Sequence, residues 1–178
     1  PEPKVANVAG SFPEWVKKTD EERIQNVYEK YKEKYQQIEF CPTLKLDGSS
    51  ITMIYIPPKL VDKFGSTWEE DEQPKALVDE DGGQFIVCSR NLQLKYDPES
   101  HFWKGFFNSD WQGFMRFVAE RFDVDHPVVV QGELMGPGIQ GNREKFNQFE
   151  VFAFNLFNPA INDYVSFDFV VNLIKSFF

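Results

Sequence analysis

Thr43-Leu44-Lys45-Leu46-Asp47-Gly48-Ser49 runs straight into Ser50-Ile51-Thr52-Met53-Ile54-Tyr55-Ile56, and this stretch decides how the chain is read. Ile51, Met53 and Tyr55 alternate toward one side, the period of a β-strand packed on a core. Gly48-Ser49 is a turn signal, so Phe40 to Ile56 is expected to form two strands flanking that turn. On the first strand Lys45 and Asp47 would share a face, because side chains two apart project the same way. Leu44 and Leu46 tend toward burial, and a lysine among them is expected to have a task. Burial beside other cations lowers a lysine pKa and frees the amine as a nucleophile. Asp47 could orient that amine or hold a metal ion, and Gly48 permits close backbone approach to a ligand. Alone, Lys-x-Asp-Gly reads as a strand-end lysine paired with a turn aspartate.

Around this stretch the chain has a single domain's length, 178 residues. It carries 28 acidic and 19 basic side chains, a formal charge of -9. That balance excludes a protein that coats nucleic acid through bulk positive charge, since phosphates are neutralised by surplus Lys and Arg. Cys41 and Cys88 are too few for a disulfide framework and lack zinc-ligand spacing, which points to buried thiols in a reducing, intracellular and by default cytoplasmic setting. No apolar run is long enough for a membrane span, and PEPKVANVAG has no signal-peptide character. His101 and His126 have no metal-spaced partners. Nineteen phenylalanines predict an aromatic core and a stacking surface for a planar ligand.

Residues 1–13 read as an entry tail or linker and 14–178 as the domain. Thr19 to Gln37 is expected to be a helix, with a Thr19/Glu22 capping box and a stripe of Ile24, Val27, Tyr28, Tyr31 and Tyr35 facing the core. Seven acids between Glu69 and Asp81 predict a solvated loop closing at Gly82-Gly83. Phe85 to Arg90 reads as a strand. Ser109 is expected to cap a helix through Trp111, Phe114, Met115, Val118, Ala119 and Phe122. Pro127 to Met135 and Phe149 to Leu156 read as strands, and Ser166 as the cap of a final helix through Phe167, Val170, Val171 and Ile174. Strands interspersed with helices without regular βαβ alternation predict an α+β domain on antiparallel sheet.

Further candidates follow Lys45 in order. Cys88-Ser89-Arg90-Asn91 ends a strand with an arginine able to grip a phosphate or sugar oxygen. Gln131-Gly132-Glu133-Leu134-Met135-Gly136-Pro137-Gly138-Ile139-Gln140-Gly141-Asn142 sets one carboxylate before a glycine-rich turn. Phe152-Ala153-Phe154-Asn155-Leu156 adds aromatic rings on another strand. The series Lys-x-Asp-Gly, Ser-Arg-Asn, Gly-Glu-Leu and Ala-Phe-Asn resembles the motif series of the covalent nucleotidyltransferases, the superfamily of polynucleotide ligases and mRNA capping enzymes. Gly-Glu-Leu-Met-Gly-Pro-Gly-Ile-Gln is most similar to RNA ligases of the type 2 kind. The approach from Phe12-Pro13 to Asn26 resembles the subgroup in which an OB-type module precedes the ligase domain.

The resemblance covers about residues 11 to 175. It implies an antiparallel-sheet, ATP-grasp-like adenylylation domain with packed helices. It further implies an ATP-dependent RNA ligase acting through a lysyl-AMP adduct, with magnesium or manganese, on nicked or broken RNA ends, expected as a monomer. Lys45 would be the nucleophile, with Thr43 and Leu44 beside it in the nucleotide site. Asp47 would contact the metal's water shell, and Glu133 would bind the ribose hydroxyls and help hold the metal. Arg90 would bind the ribose or phosphate side, Phe154 would stack on adenine, and Gln140 would serve the later steps on RNA. A capping guanylyltransferase or DNA ligase uses the same lysine chemistry, and a non-catalytic nucleotide- or RNA-binding remnant is a third reading. The family's later Glu-Gly-x-Val and Lys-x-Lys motifs, whose lysines would contact the α-phosphate, have no match after Phe154. With the start at Pro1, that absence leads to the expectation of a chain cut short at both ends, inactive by itself if the missing lysines are required.

Overall fold

The computed structural model describes residues 7–19, 24–36 and 43–178. Its centre is an eight-stranded, wholly antiparallel sheet. The strands are β1 (Val8–Ser11), β2 (Ser49–Ile56), β3 (Leu77–Val78), β4 (Gln84–Cys88), β5 (Leu92–Leu94), β6 (Val128–Met135), β7 (Glu150–Asn158) and β8 (Asp163–Tyr164). They lie in the order β1-β5-β4-β2-β6-β7-β8, with β3 also on β4. Helices α1 (Ile24–Tyr35), α2 (Val61–Phe64), α3 (His101–Phe107), α4 (Trp111–Arg121) and α5 (Phe167–Phe177) complete the α+β architecture expected from the sequence.

The central strand β2 explains the layering. Its odd residues, Ile51, Met53 and Tyr55, join Phe85, Val87, Val128, Val130 and Leu134 in a core closed by α3, α4 and α5. Its even residues Ile54 and Ile56 enter a second, smaller core with Ile86, Cys88, Val129, Phe157 and the N-terminal residues Phe12 and Val16. Both faces are covered there, so Ile51 through Ile56 are all buried, Thr52 included. At Ser50 the second face runs out of apolar cover and becomes polar.

Several local expectations need correction. Residues 43–47 form no strand, because the antiparallel ladders of β2 with both neighbours begin only at Ser49 and Thr52. Leu44 is 87% exposed, so it does not bury Lys45. Val8–Ser11, inside the segment read as a tail, pairs with β5. Glu22 of the capping box and the run's start at Phe40 lie outside the described residues. On α1 Val27 is buried but Tyr28 is exposed, so the tyrosine stripe is only partly a core face. Asp110, not Ser109, caps α4 by accepting from Gly113 N–H, and Ser166 makes no capping bond at α5.

The acidic stretch is tied down rather than merely solvated. Gln84 bonds both backbone polar groups of Ser66, Ala76 is buried, and Leu77–Val78 pairs with β4. Asp79 meets one guanidinium nitrogen of Arg116 with both oxygens, at 2.8 and 2.9 Å, which raises the Arg116 pKa. Burial, then Asp81 and Asp79, push the neighbouring Tyr55 phenol up to about 12.

Helix α3, unforeseen in the sequence, shows how tightly the first core is closed. Ser100 caps it, and its faces Trp103 and Phe106 are wholly buried. Gly105 sits where a Cβ would collide with Leu134 and lie 3.3 Å from Val151. Gly105→Ala should therefore destabilise the fold by about 1–3 kcal/mol through overpacking, despite a helix-propensity gain of about 1 kcal/mol. A lower urea midpoint at unchanged slope is the expected result.

Candidate functional site

Antiparallel register carries the site. Glu133 on β6 pairs with Ser50 on β2 and with Phe152 on β7, forming one cross-strand row. The β2–β4 ladder ends at Thr52↔Cys88, two residues before Arg90. Arg90 thus lies beyond β4 rather than on it. It and Asn91 are the middle residues of a hairpin turn closed by the bond from Ser89 N–H to the Leu92 carbonyl, 2.9 Å. Below this row Gln131 is completely buried beside Thr52, on the same face.

A β-bulge shapes the aromatic side of the row. Gln131 pairs with Asn155 while Gly132 pairs with Ala153, leaving Phe154 as the extra residue of β7. Alternation from Phe152 places Phe154 on the Glu133 face, and the shifted register returns Asn155 to it as well. Phe152 and Phe154 are 37% and 36% exposed, two half-open rings beside the carboxylate. Phe152, which the sequence reading left out, is the residue directly opposite Glu133, and its ring lies 5.4 Å from that of Phe146. Only strand register could single it out, since both phenylalanines occupy alternating positions of one run.

The segment 43–47 is joined to this row by one short bond. Gly48 N–H donates to Glu133 Oε1 at 2.9 Å. A Cβ on residue 48 would collide with the Leu134 carbonyl and stand 2.9 Å from Glu133 Cγ, so glycine is required by the close approach. Burial raises the Glu133 pKa; the Gly48 N–H, Lys45 and Arg90 oppose that rise, and Asp47 adds to it. Lys45, Asp47 and Arg90 therefore each lie within electrostatic reach of Glu133. Thr43, Leu44, Lys45 and Asp47 are exposed, and the expected burial of Lys45 among leucines is not found.

The glycine-rich loop after β6 folds back to the same place. Arg143 Nη1 lies 3.5 Å from Asp47 Oδ2, a contact invisible in the sequence because it spans two loops. Ile139 anchors the loop in the first core, and the Asn142 amide bonds both backbone groups of Phe146 at 2.8 and 2.9 Å. Gln140 is exposed on this loop with a left-handed backbone, φ 43°.

The donor set can be tested against the ligands the sequence implies. A half-buried carboxylate, two cations, an exposed amine and two aromatic faces suit a nucleotide, with rings for the base, an acceptor for hydroxyls and cations for phosphates. Among the described residues no group of three or more His, Cys, Asp or Glu is placed to hold a metal ion. The pair Asp47 and Glu133 thus suits a hydrated magnesium or manganese ion rather than a closed protein cage.

An RNA ligase family model matches residues 38–177. Two solved structures of point mutants of Naegleria gruberi RNA ligase with AMP and Mn, and one with ATP and Mn, are similar to it at TM-score 0.70 and 25% identity. Each likeness covers 96% of this chain and 41% of that one, so the chain spans less than half the length of these relatives. No curated protein matches it in sequence.

Two outcomes follow from the Gly48–Glu133 contact. Because the folded Glu133 pKa is raised, its stability contribution is full at pH below the ordinary glutamate range. That contribution is lost as pH rises through the folded value. In an NMR titration the Gly48 amide should report this ionisation at a midpoint above the ordinary range. Gly48→Ala should cost about 1–3 kcal/mol by urea unfolding, since backbone rather than a flexible side chain must move.

Proposed function

The chain belongs to the RNA ligase family, and on that premise we propose that it is the adenylylation domain of an ATP-dependent RNA end-joining enzyme. The observation that supports this most is that Lys45, Asp47 and Arg90, from two other chain segments, come within electrostatic reach of Glu133, which stands opposite Phe152 and is bonded by Gly48. Val8–Ser11 belongs to the sheet, so we set the domain's start at residue 8 rather than 14.

In this reading Lys45 Nζ, as the neutral amine, attacks the α-phosphorus of ATP. A nitrogen–phosphorus bond forms, the α–β phosphoanhydride bond breaks, pyrophosphate leaves and the amine gives up a proton. An RNA 5′-phosphate oxygen then takes the AMP from Lys45, and a 3′-hydroxyl attacks that phosphate and expels AMP. The exposure of Lys45 gives both partners access to the same nitrogen. Glu133 has one oxygen engaged by Gly48 and keeps acceptor capacity for ribose hydroxyls, where it would repel a phosphate. Phe154, with Phe152, offers adenine a face. Thr43 and Leu44 border the nucleotide. Arg90 binds on the phosphate or ribose side, and Arg143 can leave Asp47 for a phosphate oxygen. Gln140 serves the RNA steps. Magnesium or manganese, held through water by Asp47 with Glu133 nearby, would supply further neutralisation of phosphate charge.

The enzyme is read as a monomer of the cell interior, consistent with the buried free thiol of Cys88. No helix among the described residues is long and apolar enough to cross a membrane.

Incubated with α-labelled ATP and magnesium, the enzyme that carries this domain should retain label after denaturation, and its Lys45→Ala variant should retain none. Glu133→Ala should label about 10- to 100-fold less, the effect of losing charge-assisted hydrogen bonds of about 1.5–3 kcal/mol. Labelling by GTP in preference to ATP, or sealing of nicked DNA in preference to RNA, would overturn the assignment.

A further inference from the structure

We infer that Lys17 and Lys18 form the edge of the site over which the RNA phosphate backbone lies. The inference rests on the RNA-joining reading above and adds to it a location outside the nucleotide site.

The first support is position. The segment 12–19 straps across the sheet face that carries Glu133, anchored by buried Phe12 and Val16. Gln131, two residues from Glu133 and on its face, donates from Nε2 to the Lys17 carbonyl at 2.8 Å. Thr19 Oγ1 lies 3.5 Å from Ser50 Oγ, the residue paired with Glu133. Lys18 Nζ donates to Asn91 Oδ1 at 2.9 Å, and Phe12 N–H to the Asn91 carbonyl at 3.0 Å. Asn91 is the turn neighbour of Arg90. The strap's backbone is therefore fixed beside the row, with the Lys18 ammonium reaching the turn that carries Arg90 and the Lys17 ammonium reaching the Tyr164 ring on β8.

The second support is charge. In a chain of net charge -9 several cations are neutralised nearby: Lys59, Lys75, Lys104 and Arg116 each pair with a carboxylate. Among the described residues Lys17 and Lys18 do not. Lys17 Nζ stands 5.1 Å from the centre of the Tyr164 ring, and Lys18 has the Asn91 amide and the Phe12 ring at 5.8 Å. Amide and aromatic partners hold an ammonium in place but leave its charge uncompensated. A phosphodiester gains directly from that charge, and a charge-assisted bond is stronger than the neutral-acceptor bond it would replace. An acidic peptide would share the charge but not the half-exposed rings of Phe152 and Phe154 on the same face, which suit nucleobases.

The test compares the protein with its Lys17→Ala/Lys18→Ala double variant, and with Lys104→Ala as a control from a paired lysine. Binding of 5′-phosphorylated single-stranded RNA is followed by fluorescence anisotropy across a salt series, and label uptake from ATP is measured alongside. Both side chains are exposed, and the Gln131 bond is to backbone, so the strap survives the substitutions. The expected result is weaker RNA binding, with the slope of log K against log salt shallower by about 1.4, or about 0.7 for each phosphate no longer neutralised. Label uptake should be unchanged, and Lys104→Ala should match the unmodified protein. An unaltered slope in the double variant would overturn the inference while leaving the ligase reading intact, as would a fall in label uptake parallel to RNA binding. Failure of the unmodified protein to bind RNA at low salt would instead remove the RNA reading, and this inference with it.

Discussion

One hydrogen bond, from Gly48 N–H to Glu133 Oε1, holds together two parts of the site that lie 85 residues apart in the chain. The segment before Gly48 has no ladder of its own, so its place depends on this bond, on the Arg143–Asp47 contact and on the ordered start of β2. A charge-assisted bond of this kind is worth about 1.5–3 kcal/mol, and here it is opposed by the burial that raises the Glu133 pKa. Glu133 is consequently the fastening of the loop that carries Lys45 and Asp47. The glycine is its geometric condition, since any side chain there would press against the β6 backbone.

The sheet divides labour between its faces. Helices α3, α4 and α5 seal one side with large rings, among them Trp103, Phe106 and Phe114. The other side is sealed only partway, by Phe12, Val16 and their neighbours, and where that cover ends the row Phe152–Glu133–Ser50 opens. A rigid double-sided core thus delivers a polar edge whose residues belong to strands and not to free loops. The bulge at Phe154 then turns an alternating strand into one that sets Phe152, Phe154 and Asn155 toward the same side.

Much of this was legible in the chain. The alternation of Ile51, Met53 and Tyr55, the helical spacing from Trp111 to Ala119, and the apolar runs of β6 and β7 all announced their elements, because burial of one face imposes a period. Helix α3 was missed: Ser100-His101-Phe102-Trp103-Lys104-Gly105 hides its apolar stripe behind a glycine and mixed neighbours. The acidic residues 69–81 read as solvent-facing because charge usually is, yet Asp79 found Arg116 from a helix distant in sequence. Lys45 was expected to be buried from its leucine neighbours, and Leu44 instead faces solvent.

By itself the sequence determined the class of the fold, the order of the candidate motifs and the residue types available to them, since these follow from periodicity and side-chain chemistry along one strand at a time. Tertiary structure alone decided which phenylalanine faces Glu133, that Arg90 sits on a turn beyond β4, that Arg143 meets Asp47, and that the strap at Lys17 and Lys18 is bonded to Gln131 and Asn91. Those choices depend on register between strands and on contacts across loops. A shift of a single residue in pairing would send Glu133, Ser50 or Phe152 to the opposite face.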